Sequence, residues 1–224
     1  MSRYSEISQF RKSFDIITNW VHYPIATYFC ALISFTKITP NQITLLAIIS
    51  ELSAVYFIFT NYESNLLLIV GLLQIGYILD LSDGMLARYK KVGYYHPTNP
   101  SIKGYYLDSI SDHVLRFILM GSLVFIYSVQ VSNGWKLGLF FIIIHGILQT
   151  EHTLRSLITS SRVKDTLNGR STVFSQMALL HNNIYIFYLI FISINRLDLF
   201  FIIYSIGSIV LFCKRVAQFW LKAE

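Results

Sequence analysis

The sequence predicts an all-α integral membrane protein with six transmembrane helices preceded by an N-terminal interfacial (juxtamembrane) helix. Of its 224 residues, 54% are apolar and only 13% are charged, whereas soluble domains carry about 25% charged residues. Its mean hydropathy is +0.53. Six apolar runs are long enough to cross hydrocarbon, which takes about 20 helical residues. These runs lie at 42–61, 65–87, 107–130, 136–157, 173–194 and 197–218.

A further apolar stretch, 17–37, differs from the six runs because it contains polar residues such as Asn19 and His22 and follows a charged segment. This mixture favours a helix that lies along the membrane surface, with a seventh span as the alternative. We therefore predict an N-terminal juxtamembrane amphipathic region over 1–38 and a six-span membrane domain over 39–224.

The basic residues indicate the orientation of the chain. With six spans, fifteen Lys and Arg residues fall on one side of the membrane, and only Lys136 and Arg196 fall on the other. The positive-inside rule places the basic side and both termini in the cytoplasm, and we predict a multi-pass protein of the cell (inner) membrane. The net charge of +6 is explained by this topology. We therefore expect membrane lipids and an anionic substrate as partners, and no nucleic acid.

Four of the twelve acidic residues fall in one short window beside apolar sequence. A carboxylate near hydrocarbon depth is costly and by default marks a functional site. Asp80 and Asp83 lie near the cytoplasmic end of the second predicted span, and Asp108 and Asp112 lie near the start of the third. Since these spans form an antiparallel hairpin, their cytoplasmic ends should bring the four acids together.

The spacing of the acids suits a metal site. Asp80 and Asp83 are three residues apart, and Asp108 and Asp112 are four apart, so each pair shares one helical face. Carboxylate oxygens are the ligands of hard divalent cations such as Mg²⁺ or Mn²⁺. Two such ions about 3.5–4 Å apart form the usual clamp for displacement at phosphorus. One carboxylate would remain free to take a proton from an incoming hydroxyl.

Gly84 and Arg88 continue the first acidic face. A glycine leaves room for a ligand to approach the backbone, and a guanidinium pairs bidentately with phosphate oxygens. The pattern therefore indicates a pyrophosphate held by two metal ions and an arginine.

At these residues the sequence resembles the CDP-alcohol phosphotransferase (CDP-alcohol phosphatidyltransferase) family. The family signature is D-x2-D-G-x2-A-R, a spacer, then G-x3-D-x3-D, and every fixed position is present between Asp80 and Asp112. The segment T-P-N-Q-I-T at Thr39–Thr44 looks like the P-N-x-x-T element of these enzymes. One feature departs from the family: the spacer between Arg88 and Gly104 has fifteen residues, which is longer than usual.

The resemblance implies roles for individual residues. The metal ligands for two divalent cations, Mg²⁺ or Mn²⁺, would be Asp80, Asp83, Asp108 and Asp112. Asp112 would also be the catalytic base that activates the acceptor hydroxyl.

The resemblance also implies which residues bind the donor. Gly84 and Arg88 would contact the CDP moiety, and Asn41 and Thr44 are further candidates for the nucleotide pocket.

The implied reaction is attack of an alcohol on the β-phosphorus of a CDP-linked alcohol, which releases CMP and forms a phosphodiester. CDP-diacylglycerol or a related CDP-linked alcohol is the expected donor, and a small hydroxylated molecule is the expected acceptor. The expected setting is phospholipid or related phosphodiester biosynthesis, and the resemblance implies a homodimer. Two alternatives stay open: a divalent-cation transporter or channel that uses the same acids, and a catalytically inactive scaffold of the same fold.

Overall fold

The computed structural model describes residues 2–12, 15–160 and 183–222, and this part of the chain is helical with no strand. Its helices are α1 (Arg3–Ser8), α2 (Tyr23–Ile33), α3 (Pro40–Asn61), α4 (Leu66–Lys90), α5 (Lys103–Gln130), α6 (Gly134–Ser160), α7 (Ile184–Phe187) and α8 (Leu197–Lys222). Two π-helical turns precede α2 and follow α7, at Thr18–His22 and Tyr188–Ile192. The chain forms two compact units, Met1–Ser122 and Leu123–Glu224.

Four helical segments within the described residues are long and apolar enough to cross a membrane. They are Pro40–Asn61, Glu63–Tyr95, Tyr106–Gln130 and Leu197–Gln218. These segments correspond to four of the six predicted spans and, with the apolar composition, indicate an integral membrane protein.

The other two predicted spans stay predictions. The run 136–157 is helical within α6 but is not among the four candidate spans. Residues 173–182 of the run 173–194 lie outside the described residues, which resume at Asn183. The placement of 17–37 along the membrane surface also stays a prediction.

Helix α3 begins where the sequence supplies a start signal. Proline stands at the first helical position, Pro40, where its missing N–H is not needed. The side chain of Gln42 accepts a hydrogen bond of 2.9 Å from the backbone N–H of Thr39, which is half of a capping box. This start fixes the position of Asn41 and Thr44 one turn into the helix.

Helices α3 and α4 pack closely along their length. The hydroxyl of Ser50 donates to the carbonyl of Leu72 at 2.8 Å. Glu51 is buried and its side chain fills the space beside Gly76, where an added Cβ would lie 2.7 Å from the Glu51 Cγ. A small residue at position 76 therefore sets the distance between the two helices.

The N-terminal region packs against α4 through buried polar contacts. The hydroxyl of Thr18 lies 3.0 Å from that of Tyr77, and Nε2 of His22 lies 2.9 Å from Oε1 of Gln74. Hydrogen bonds in a buried setting require defined geometry, so these contacts fix this region against the helix that carries the first acidic pair.

Cys30 makes a further contact between α2 and α4. Its thiol donates to the carbonyl of Ser82 at 3.2 Å. Burial raises the pKa of Cys30 to about 11, so the thiol stays protonated and keeps this hydrogen bond at neutral pH.

Helix α4 ends at Lys90, two residues after Arg88, which closes the first half of the signature. Lys91 adopts a left-handed conformation with φ of 52°, and the N–H of Val92 donates back to the carbonyl of Ala87 at 3.1 Å. This is the pattern of a Schellman motif. It turns the chain into the spacer immediately after Arg88.

The second unit has an aromatic core. Phe141, Phe200, Phe201 and Tyr204 are all buried, with the Phe141 ring centre 4.9 Å from that of Phe201. The hydroxyl of Tyr204 lies 3.2 Å from Nδ1 of the buried His145. Within this unit the described contacts of His145 are those of a core histidine.

Replacing Gly76 by alanine should destabilise the protein, because the new methyl group would overlap the buried Glu51 side chain. Overpacking of this kind costs about 1–3 kcal/mol, and we expect a lower melting temperature in detergent. Gly71→Ala on the same helix is the matched control, since nothing lies within 4 Å of an added Cβ there and alanine favours a helix. Equal melting temperatures for the two variants would contradict this packing.

Candidate active site

Carboxylates from α4 and α5 meet at one end of these helices. One oxygen from each of Asp80, Asp108 and Asp112 lies within 4.8 Å of the others. The Oδ1 atom of Asp108 is buried and has no hydrogen-bond partner among the described residues. An all-oxygen donor set with such a buried atom fits a hard divalent cation. The residues present are therefore suited to Mg²⁺ or Mn²⁺.

Asp83 lies beside this cluster and is held by α3. Its side chain is buried and accepts a hydrogen bond from the hydroxyl of Thr44. The same hydroxyl lies 3.2 Å from the carbonyl of Pro40 in the preceding turn. The structure thus brings three of the four predicted metal ligands together directly and anchors the fourth to the neighbouring helix.

A cavity of about 520 Å³ is lined by two of the four acids, Asp83 and Asp108, and not by Asp80 or Asp112. Ligand pockets commonly have volumes of about 300–1,000 Å³, so this one can hold a nucleotide-sized group. Its lining comes from the N-terminal segment, the start of α3, the end of α4, the spacer and the start of α5. The lining residues are Lys12, Lys37, Ile38, Thr39, Pro40, Asn41, Thr44, Asp83, Gly84, Ala87, Lys90, Val92, Gly93, Tyr94, Tyr95, Ser101, Lys103, Gly104 and Asp108.

Three of the four residues predicted to contact CDP are in this lining: Asn41, Thr44 and Gly84. The starts of α3 and α5 approach closely there, because an added Cβ at Gly104 would lie 2.8 Å from Oδ1 of Asn41. A side chain at position 104 would therefore displace Asn41 from the cavity wall.

Arg88, the fourth of these residues, lies next to the cavity but not in its lining. Its Nε donates to the carbonyl of Phe10 at 3.0 Å, and its guanidinium carbon lies 5.8 Å from the ring centre of Tyr95. An added Cβ at Gly84 would lie 3.3 Å from Nη1 of Arg88. Glycine at position 84 therefore leaves room for the guanidinium beside it.

The long spacer after α4 forms part of the cavity wall. A hydrogen bond of 3.0 Å from the N–H of Ser101 to the carbonyl of Gly93 closes the loop. Within it, Nδ1 of His96 accepts from the N–H of Asn99 at 2.9 Å. The His96 side chain therefore stabilises a turn of the spacer, and it is not among the residues that line the cavity.

The basic part of the lining was not predicted as part of the site. Lys12, Lys37 and Lys103 line the cavity, whereas their sequence positions indicated only membrane topology. Lys12 reaches the cavity through contacts of the N-terminal segment with α2 and α4. Local sequence carries no signal for such long-range contacts.

A family model described as CDP-alcohol phosphatidyltransferase matches residues 37–214. A comparison with curated proteins finds no match. The family match includes α3, α4 and α5, and with them every predicted site residue from Asn41 to Asp112; it leaves out the N-terminal segment. The family comprises transferases of phosphorus-containing groups that act on CDP-linked alcohols. Because the match covers most of the chain, this protein belongs to the CDP-alcohol phosphatidyltransferase family.

Proposed function

We propose that this protein transfers a phospho-alcohol group from a CDP-linked donor to a small hydroxylated acceptor and releases CMP. The proposed donor is CDP-diacylglycerol, so that the transferred group is phosphatidyl. The observation that carries this proposal is the acid cluster of α4 and α5 beside a cavity lined by Asn41, Thr44 and Gly84. Membership of the family supports the reaction class. Phospholipid or related phosphodiester biosynthesis is the corresponding setting.

In this proposal Asp80, Asp83, Asp108 and Asp112 hold two divalent cations, Mg²⁺ or Mn²⁺. Bound there, the cations supply charge neutralisation for the donor phosphates and the departing CMP. Asp83 and Asp108 line the cavity, so their carboxylates face the space in which the donor phosphates would lie.

Asp112 is the proposed catalytic base. Its carboxylate would take the proton of the acceptor hydroxyl as the acceptor oxygen bonds to the β-phosphorus of the donor. The bond between that phosphorus and the bridging oxygen breaks, and CMP leaves with the bonding electron pair. Asn41, Thr44 and Gly84 would hold the CDP moiety, with the guanidinium of Arg88 beside its phosphates.

The proposal also covers the orientation of the chain in the membrane and its oligomeric state. The excess of basic residues on one side supports a cytoplasmic location for the acids and both termini, and the proposed host membrane is the cell (inner) membrane. Family resemblance supports a homodimer.

The direct test is CMP release by the purified protein with Mg²⁺ or Mn²⁺, CDP-diacylglycerol and a panel of acceptors that includes inositol phosphate, glycerol phosphate and serine. We expect release that requires both the metal and one acceptor.

Asp112→Asn should lower turnover about 10²–10⁴-fold, the usual contribution of a positioned base.

Asp198→Asn is the control for this assay, because Asp198 lies outside the candidate site and its described ion pair is with Arg196, at 2.7 Å. Removing such a pair changes stability by about 0–1 kcal/mol, so turnover should stay at the wild-type level. Undiminished turnover in Asp112→Asn would contradict the base assignment. Flux of divalent cations through proteoliposomes without any CMP release would favour the transporter instead.

Thr44→Val should reduce kcat/KM about 10- to 100-fold, because Asp83 loses a charge-assisted hydrogen bond worth about 1.5–3 kcal/mol. Thr44→Ser keeps the hydroxyl and should retain most activity. Thr60→Val on the same helix is the matched control, since its hydroxyl donates to the carbonyl of Tyr56. Full activity in Thr44→Val, or equal losses in the valine and serine variants, would contradict this role.

A further inference from the structure

The N-terminal segment 2–12 is held against the helices that form the candidate site. Nε of Arg11 donates to the hydroxyl of Thr27 at 2.9 Å. The backbone N–H of Lys12 donates to the phenol oxygen of Tyr23 at 3.1 Å. Burial raises the pKa of Tyr23, so this phenol stays neutral at physiological pH. Two consecutive residues are therefore fixed to α2.

The same segment contacts Arg88 of the family signature. The carbonyl of Phe10 accepts the Nε hydrogen of Arg88 at 3.0 Å, and the Phe10 ring packs edge-on against that of Tyr89 at 6.1 Å between centres. A guanidinium has five N–H donors in a rigid fork. With Nε engaged by Phe10, the Nη atoms lie beside Gly84.

These contacts place Lys12 in the cavity wall, on the same cavity as Asp83, Gly84 and Asp108. Within the described part of the chain, no hydrogen bond or ion pair engages the Lys12 ammonium. Lys90, another lining lysine, differs because its ammonium donates to the carbonyls of Thr36 and Ile38 at 3.0 and 2.8 Å. Lys90 therefore has a structural role, whereas the Lys12 charge acts on the Asp108 carboxylate in the wall of the same cavity.

We propose that Lys12 is a further donor-binding residue, whose ammonium pairs with a phosphate oxygen of the CDP-linked donor. This inference rests on the proposed function of the same cavity. In this proposal segment 2–12 belongs to the donor-binding site, although the family match begins only at residue 37. The Phe10 carbonyl acts as a positioning group that orients Arg88 toward the same phosphates.

Charge complementarity supports an anionic occupant at this position. Lys37 and Lys103 line the same cavity, so three lysines other than Lys90 surround a space large enough for a nucleotide. A pyrophosphate offers several charged oxygens, and pairing with an ammonium strengthens each such hydrogen bond relative to a neutral one. The lining contains four lysines and two aspartates, Asp83 and Asp108, so its formal charge is positive.

The test compares Lys12→Gln, Lys12→Arg and Lys91→Gln in the full-length protein with Mg²⁺. Lys91 is a matched control because it is also a basic residue near the cavity but is not in its lining. Two measurements are made on each protein: donor KM and kcat from CMP release, and binding of CDP and of cytidine by calorimetry. Cytidine lacks the phosphates that Lys12 is proposed to contact.

For Lys12→Gln we expect donor KM to rise about tenfold and CDP binding to weaken by a similar factor, as for loss of one charge-assisted hydrogen bond. Cytidine binding and kcat should change little. Lys12→Arg should recover most of the affinity, and Lys91→Gln should match the wild type.

Unchanged CDP binding in Lys12→Gln, an equal loss of cytidine binding, or failure of Lys12→Arg to recover affinity would each overturn the proposal. CDP binding and CMP release by the wild type distinguish a failure of this inference from a failure of the proposed function. If the wild type binds CDP but releases no CMP from the donor, the proposed function fails and Lys12 is still judged on CDP binding. If it does not bind CDP, both fail.

Discussion

Electrostatic repulsion among the carboxylates of α4 and α5 is the constraint on which the rest of the site depends. Two unit charges 4 Å apart repel by about 4 kcal/mol at an effective dielectric constant of 20, and the oxygens of Asp80, Asp108 and Asp112 lie within 4.8 Å of one another. Helix packing must impose such an arrangement, and the positive charge of bound protons or cations must compensate for the repulsion. Divalent cations supply that charge most directly, and the cationic lining of the neighbouring cavity would hold a second, anionic component.

The packing that imposes this arrangement is distributed over the first unit. Gly76 allows α3 to approach α4, and Gly104 allows the start of α5 to approach Asn41. Thr44 then reaches Asp83 with a hydrogen bond. Small residues at close contacts and a polar link across helices are typical of helix association in membranes. In this chain the same contacts also place the predicted ligands.

Much of the helical fold and of the acid cluster could be predicted from sequence, because both depend on local periodicity. Apolar length predicted the spans in α3, α4, α5 and α8, and the three- and four-residue spacing predicted which acids share a face. The anchoring of Asp83 by Thr44 and the entry of Lys12 into the cavity wall depend instead on contacts between residues far apart in sequence. Hydropathy and spacing carry no information about such contacts. The spacer is an intermediate case, since its length was evident but its place in the cavity wall required the positions of α4 and α5.

The most direct test of the central claim is the binding of Mn²⁺ to the purified protein, followed by electron paramagnetic resonance without any substrate. The proposed function predicts two bound ions per chain, with spectral coupling between ions that lie about 3.5–4 Å apart. Replacing Asp80 and Asp108 together by asparagine should abolish this binding. Wild-type protein that binds no Mn²⁺, or a double variant that binds as much as the wild type, would contradict the claim that these carboxylates form a divalent-cation site.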